Sequence, residues 1–235
     1  MKDKKVLLIL SGGLDSTTLL YDLVSTHNKD SIVALSFDYG SKHNNRELQK
    51  AIKTCAVLEV DHEIIDLKNI FKNFDSALLK GKIPEGHYAE DNMKKTVVPF
   101  RNGILLSIAI GYAESNNIEN IYYGAHGGDH AIYPDCRQGF VDTMSLAGQL
   151  GTYNNVSINA PYNDITKIDI VKRGIDLKVD YNNTWTCYVG EIHPCGKCGS
   201  CVERTEAFIE NGLEDPLYNE LGWERAKKYY LTVKK

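Results

Sequence analysis

Two short stretches of this chain group residue types that do chemistry only in company. The first is Ser11-Gly12-Gly13-Leu14-Asp15-Ser16. Its glycines let the backbone turn sharply and approach a ligand closely. The hydroxyls of Ser11, Ser16 and Thr17 add hydrogen-bonding groups. The apolar run KKVLLIL at 4–10 predicts a buried strand before the turn. The stretch 16–24 that follows carries apolar residues at 19, 20, 23 and 24, the spacing of one helix face. A strand, a glycine turn and a helix present backbone N–H groups and a helix N-terminus to an anion such as a phosphate. Asp15 is the odd member, because an acid beside a phosphate needs a cation between them; it points to Mg²⁺. No lysine completes a G-x-x-x-x-G-K-[ST] loop here, so the cradle is of another kind.

The second stretch holds Cys187, Cys195, Cys198 and Cys201, spaced C-x7-C-x2-C-x2-C. Four thiolates fill a tetrahedral Zn²⁺ and leave no open position, the pattern of a structural site. Gly196 and Gly199 permit the tight turns this needs, and His193 is not required as a ligand. An iron–sulfur cluster also takes four cysteines, but no x3-C-P continuation follows Cys201, which favours zinc.

Further candidates are scattered. Arg101 and Asn102 open an expected helix after Pro99, a position suited to holding a carboxylate or phosphate. A glycine-rich polar run from Gly124 to His130, including His126 and Asp129, is followed by Tyr133-Pro134-Asp135-Cys136-Arg137. So many polar residues after a strand suggest a site, with the histidines as polar members rather than a metal pair. Lys167 falls in the first turn of an amphipathic helix. Cys55 and Cys136 read as packing residues.

The elements that must position these groups follow from periodicity. Strands are expected at 32–37, 61–67 and 120–124, besides the first. Helices are expected from Asn45 (with Leu48, Ala51, Ile52 and Cys55 on one face), at 101–115, at 138–149 and at 166–177. The stretch 68–95 reads as a loop or lid. Alternating strands and helices imply an α/β fold on a parallel sheet, Rossmann-like, with ligands at the carboxyl ends of the strands. That end collects the first turn and Phe37-Asp38-Tyr39. Residues 1–180 are expected to form this domain and 181–235 a four-cysteine segment with terminal helices.

Composition narrows the class. The chain has 235 residues, is 43% hydrophobic and carries a net charge of −4, which disfavours a nucleic-acid partner. The strand expected at the N-terminus leaves no room for a signal peptide, and no apolar run suits a membrane span. A cytoplasmic protein is expected, in which clustered cysteines bind metal rather than pair.

SGGLDS resembles the PP-loop of nucleotide alpha-hydrolases, which cleave ATP between the α and β phosphates and adenylate a substrate oxygen. With SFDYGSKHNNRE, VPFRN, IYPDCRQGF, TWTCY and CGKCGSC in that order, residues 5–216 resemble the 7-cyano-7-deazaguanine synthases of queuosine and archaeosine synthesis. The resemblance implies that 7-carboxy-7-deazaguanine is adenylated and aminated to an amide, then activated again and dehydrated to the nitrile. It implies that Leu10 to Thr17 and Phe37 hold ATP with Mg²⁺. It makes Asp15, Ser16, Arg101 and Lys167 catalytic, and Arg101, Asp129, Tyr133, Asp135 and Arg137 substrate contacts. It also implies structural zinc and a homodimer. The wording GAHGGDHAIYPDCR departs from the family's usual form. A relative that stops at the amide or transfers the deazaguanine to another amine therefore stays open. A PP-loop tRNA-modifying enzyme and a non-catalytic nucleotide- or zinc-binding scaffold remain more distant readings.

Overall fold

The computed structural model describes residues 4–234. Residues 1–3 and 235, the outer ends of the two expected parts, lie outside the described residues. The chain runs β1 (Val6–Ile9), α1 (Leu14–Thr26), β2 (Ile32–Asp38), α2 (Asn44–Leu58), β3 (Asp61–Asp66) and α3 (Lys68–Phe71). It continues through α4 (Arg101–Ser115), β4 (Asn120–Tyr123), α5 (Gln138–Gly151), β5 (Ser157–Asn159), α6 (Lys167–Asp176), α7 (Gly199–Glu210) and α8 (Glu220–Val233).

The five strands form one parallel sheet in the order β3-β2-β1-β4-β5. Strands buried on both faces read as continuous apolar runs, and β1 shows how the two-residue period divides them. Val6, Leu8 and Leu10 enter one apolar cluster, with α1, α6 and α7; Leu7 enters the other, with α4 and α5. In β2, Ile32 and Ala34 alternate with Val33, Leu35 and Phe37 in the same way. Each fully buried leucine contributes about 1.5–3 kcal/mol against exposure.

Progression reverses at β1: β2 and β3 lie to one side, β4 and β5 to the other. Such a switch point opens a crevice beyond the strand ends. Into it run the turn after β1, residues 37–39 at the end of β2 and the Gly124–Asp129 segment after β4.

Several expectations are corrected. Ile52 is 49% exposed, so the buried face of α2 is Leu48, Ala51, Thr54 and Cys55. Its hundred-degree step from Ala51 turns it outward. The stretch 68–95 is not a bare loop: it holds α3 and buries Leu78, Ile83 and Met93. Strand β5 escaped the sequence reading because only three residues form it. Helix α1 starts at Leu14, inside the expected turn. Residues Trp185, Cys187, Cys198 and Cys201 share the apolar cluster of Leu7 and α4, so the cysteine segment packs into the same core.

Candidate active site

The turn after β1 is built to stay open toward an anion. Gly12 has φ +87°, and a Cβ there would lie 2.1 Å from the Glu47 carbonyl oxygen of α2. Only glycine fits this left-handed close approach. Trp185 N donates to Gly12 O at 3.0 Å and pins the turn from the other side. Gly13 N donates to Ser11 Oγ at 3.0 Å, and Ser11 N donates to Ser16 Oγ at 3.2 Å. Gly13 is the N-cap of α1 and supplies no side-chain acceptor, so the helix dipole faces the crevice unshielded. Thr17 Oγ1 is buried without a hydrogen-bond partner.

Charge gathers on the β4 side of this turn. Lys167 Nζ donates to Glu203 Oε2 at 2.6 Å and lies 3.4 Å from Asp15 Oδ2. Thr166 and Asp169 close a capping box at the start of α6, which fixes the turn bearing Lys167. Burial alone would lower the lysine's proton affinity, but the carboxylates of Asp15 and Glu203 more than offset it and hold Lys167 firmly charged. His126 accepts Gly128 N–H at its Nδ1, so its Nε2 carries the proton. That Nε2 stands 3.6 Å from Asp129, 3.8 Å from Glu203 and 4.0 Å from Asp15.

The N-terminus of α4 forms the opposite wall. Phe100 adopts φ 53° immediately before it, and Gly103 leaves the room its ring occupies. Arg101 donates to Tyr39 Oη at 3.3 Å, and burial is outweighed by the Tyr39 and Asp135 groups that keep it charged. Asp135 is spent on structure: its carboxylate accepts Asn102 N–H at 2.9 Å and caps α4. Tyr133 Oη bonds Thr96 Oγ1 at 2.8 Å and Tyr188 Oη at 3.1 Å.

The lining of one cavity joins these walls. It includes Leu10, Ser11, Gly13, Leu14, Asp15 and Ser16, together with Phe37, Arg101, Asp129, Tyr133 and Lys167. Gly12 and Thr17 lie behind this surface, and Asp135 acts through α4. Arg137 stands apart: it is exposed, and its Nε donates to the His130 carbonyl at 3.0 Å. Cys136, expected as packing, lines the cavity and receives Asn102 Nδ2–H at 3.2 Å.

Below α7 lies a metal centre in outline. The sulfurs of Cys187, Cys195, Cys198 and Cys201 all fall within 4.8 Å of one another. Cys198 N and Lys197 N both donate to Cys195 Sγ, at 3.3 and 3.4 Å. The neighbouring thiols and these donors hold Cys195 well below the usual thiol range. Four converging sulfurs with peptide donors fit a closed tetrahedral ion. At the cavity, Asp15 Oδ1 is buried without a partner, which fits a divalent cation beside the turn.

A family model described as "Queuosine biosynthesis protein QueC" matches residues 5–212. A 7-cyano-7-deazaguanine synthase of Hahella chejuensis is 53% identical over 219 residues, covering 90% of this chain and 91% of that protein. One from Methanoregula boonei is 50% identical over 218 residues, covering 92% of this chain and 99% of its own length.

The chain belongs to the 7-cyano-7-deazaguanine synthase family.

The U34-tRNA thiolase NcsA from Methanococcus maripaludis, solved with its [4Fe-4S] cluster, shares the fold. It superposes with a TM-score of 0.52 at 15% identity, covering 99% of this chain and 72% of that one. Synthases of this family are ligase-type enzymes. Tyr39, expected at the strand ends beside the first turn, lines the cavity, and the residues that sequence reasoning did not single out there include His43, Glu47, Trp185, Tyr188 and Glu203. All carried a signal: His43 and Glu47 sit within the SFDYGSKHNNRE stretch, Trp185 and Tyr188 within TWTCY, and Glu203 lies two residues past the last clustered cysteine.

Proposed function

We propose that the chain converts 7-carboxy-7-deazaguanine and ammonia, with ATP, to 7-cyano-7-deazaguanine through an acyl-adenylate and an amide. The observation that carries this reading is one cavity joining an uncapped helix N-terminus after β1 to two cations, the buried Lys167 and the half-buried Arg101. The turn from Ser11 to Ser16 holds the β and γ phosphates through backbone N–H groups and hydroxyls. Phe37, at the end of β2, offers an apolar face for adenine. Mg²⁺, when bound at Asp15 Oδ1, supplies positive charge against the leaving pyrophosphate.

Lys167 lies between the turn and Glu203 and is placed to hold charge on the α phosphate as the carboxylate oxygen attacks. Arg101 suits the substrate carboxylate by its planar fork of donors. Asp129 and Tyr133 present an acceptor and a hydroxyl toward the deazaguanine edge. Asp135 and Arg137 serve by fixing α4 and the turn at His130. Activation of the amide oxygen by a second ATP and loss of AMP leave the nitrile.

Zinc is the ion of this reading at the four cysteines, and 181–235 is the segment that closes it against the ATP-binding part. The charge of −4 supports small-molecule partners over nucleic acid. No helix among the described residues is long and apolar enough to cross a membrane. Exposed Leu146, Leu150 and Tyr153 near the end of α5 support self-association as a homodimer.

The test is ATP–pyrophosphate exchange without ammonia. Exchange that requires 7-carboxy-7-deazaguanine and disappears in Asp15→Asn supports the reading; exchange indifferent to that acid would contradict it.

A further inference from the structure

Four carboxylates line the cavity: Asp15, Glu47, Asp129 and Glu203. Glu203 and Asp15 share Lys167, and Asp129 faces the Nε2 of His126. Glu47 differs. Its side chain is 13% exposed, and its ionisable neighbour is His43, whose Nε2 lies 3.6 Å from Glu47 Oε2. Among the described residues, no lysine or arginine comes within 4.0 Å of it. Burial, together with the Arg101 charge, pushes His43 down to about 3, so the ring stays neutral and offers Glu47 no compensating charge. His43 is itself fixed, with Nδ1 3.4 Å from Ser41 Oγ and its ring packed on Tyr188.

The position of Glu47 is as telling as its isolation. A Cβ on Gly13 would stand 3.6 Å from Glu47 Oε1, so the carboxyl flanks the turn assigned to the phosphates. Burial pushes Glu47 up to about 8, with Arg101 opposing and Asp15 adding to the rise. The groups that bear on it are Asp15 from α1, His43 at the N-cap of α2 and Arg101 from α4, and the half-buried ring of Tyr188 packs against His43. The buried acid therefore takes up a proton in the neutral range, where an ordinary glutamate does not.

The amination step needs such a group. Near neutrality the nitrogen source is mostly ammonium, which has no lone pair to attack with. Resting on the function proposed above, we propose that Glu47 is the catalytic base of amination, binding ammonium and taking the proton that masks its lone pair. Glu47 carboxylate and ammonium become the neutral acid and ammonia. The nitrogen lone pair forms the C–N bond to the acyl carbon, the bond from that carbon to the AMP oxygen breaks, and the second proton leaves to solvent. Neutral His43 packs beside the carboxylate and holds it in place. Glu47 loses its proton to water as the product departs.

The experiment compares wild type, Glu47→Gln and Glu47→Asp, each with ATP, Mg²⁺ and 7-carboxy-7-deazaguanine. Exchange without amine reads adenylation and reports that the variants fold. Amide formation is then followed with ammonium and with hydroxylamine, which is uncharged at neutral pH. Glu47→Gln should keep exchange, lose about 10²-fold or more of its ammonium-dependent rate, and lose far less with hydroxylamine. Its ammonium KM should rise, the acidic limb of its pH profile should flatten, and Glu47→Asp should recover part of the rate. Equal loss with both amines, no loss with either, or loss of exchange itself would overturn the assignment. Absence of exchange in the wild type would instead overturn the function reading, and the base assignment with it.

Discussion

The turn after β1 and the segment from Thr184 to Arg204 meet at one hydrogen bond, Trp185 N to Gly12 O, yet they are built in opposite ways. The turn is local: its bonds run among Ser11, Gly13 and Ser16, at most five residues apart. The later segment is assembled from a distance. Arg204, fully buried, holds Asp215 with Nε and Nη2, donates from Nη1 to Thr184 and Thr186, and from Nη2 also to the Tyr181 carbonyl. Helix α7 then carries Cys201 to the thiol cluster and Glu203 to Lys167 on successive faces. Phosphate geometry can be encoded by six consecutive residues. The later segment contributes Glu203, the carboxylate that holds Lys167 of α6 beside the turn, and it is kept in place by the thiol cluster and the buried Arg204–Asp215 pair.

That contrast can be broken experimentally. The largest effect is expected from stripping the metal, or from Cys198→Ser. Structural four-thiolate sites contribute on the order of 10 kcal/mol to the fold of small domains. Hydrogen-exchange protection should collapse over 184–204 while β1 and α1 keep most of theirs; equal loss in both would erase the distinction.

Next comes Arg204→Met, which leaves Asp215 as an unpaired buried charge and should cost about 3–5 kcal/mol in denaturant unfolding. A loss below about 1 kcal/mol would mean the pair does not hold the segment. Lys167→Met should leave the protein folded but cut adenylation by about 10²–10³-fold, the scale of one lost electrostatic donor. A near-normal exchange rate would remove Lys167 from the phosphate.

The smallest effect is on stability against pH. Glu47 is raised in the folded chain, which therefore keeps a proton the unfolded chain releases. Its contribution makes folding less favourable as pH climbs from about 4.5 to about 8. Glu47→Gln should raise the urea midpoint at the upper end of that window and leave the lower end unchanged.

The same contrast explains what the sequence disclosed. β1, the turn and α1 were legible because their signals are contiguous: an apolar run, two glycines, then a helix period. The cysteines were legible by spacing alone. Glu203 was not, because its partner Lys167 lies 36 residues away and only the packing of α7 on α6 joins them. Glu47 stands in the first turn of α2, where an acid is common, and nothing local says that the α2 backbone packs against Gly12. Asp135 and Arg137 were expected at the substrate, but a helix cap and a carbonyl claim them. Residue type brought Asp15, Arg101, Asp129, Tyr133 and Lys167 to the lining of one cavity; the direction of each side chain needed the fold.

On the function proposed above, this cavity turns a carboxylate into a nitrile. Mass spectrometry of the product from ATP, Mg²⁺, ammonium and 7-carboxy-7-deazaguanine, with AMP counted in the same tube, tests it most directly. The expected result is the nitrile with two AMP per product. An amide with one AMP, or no AMP at all, would contradict it.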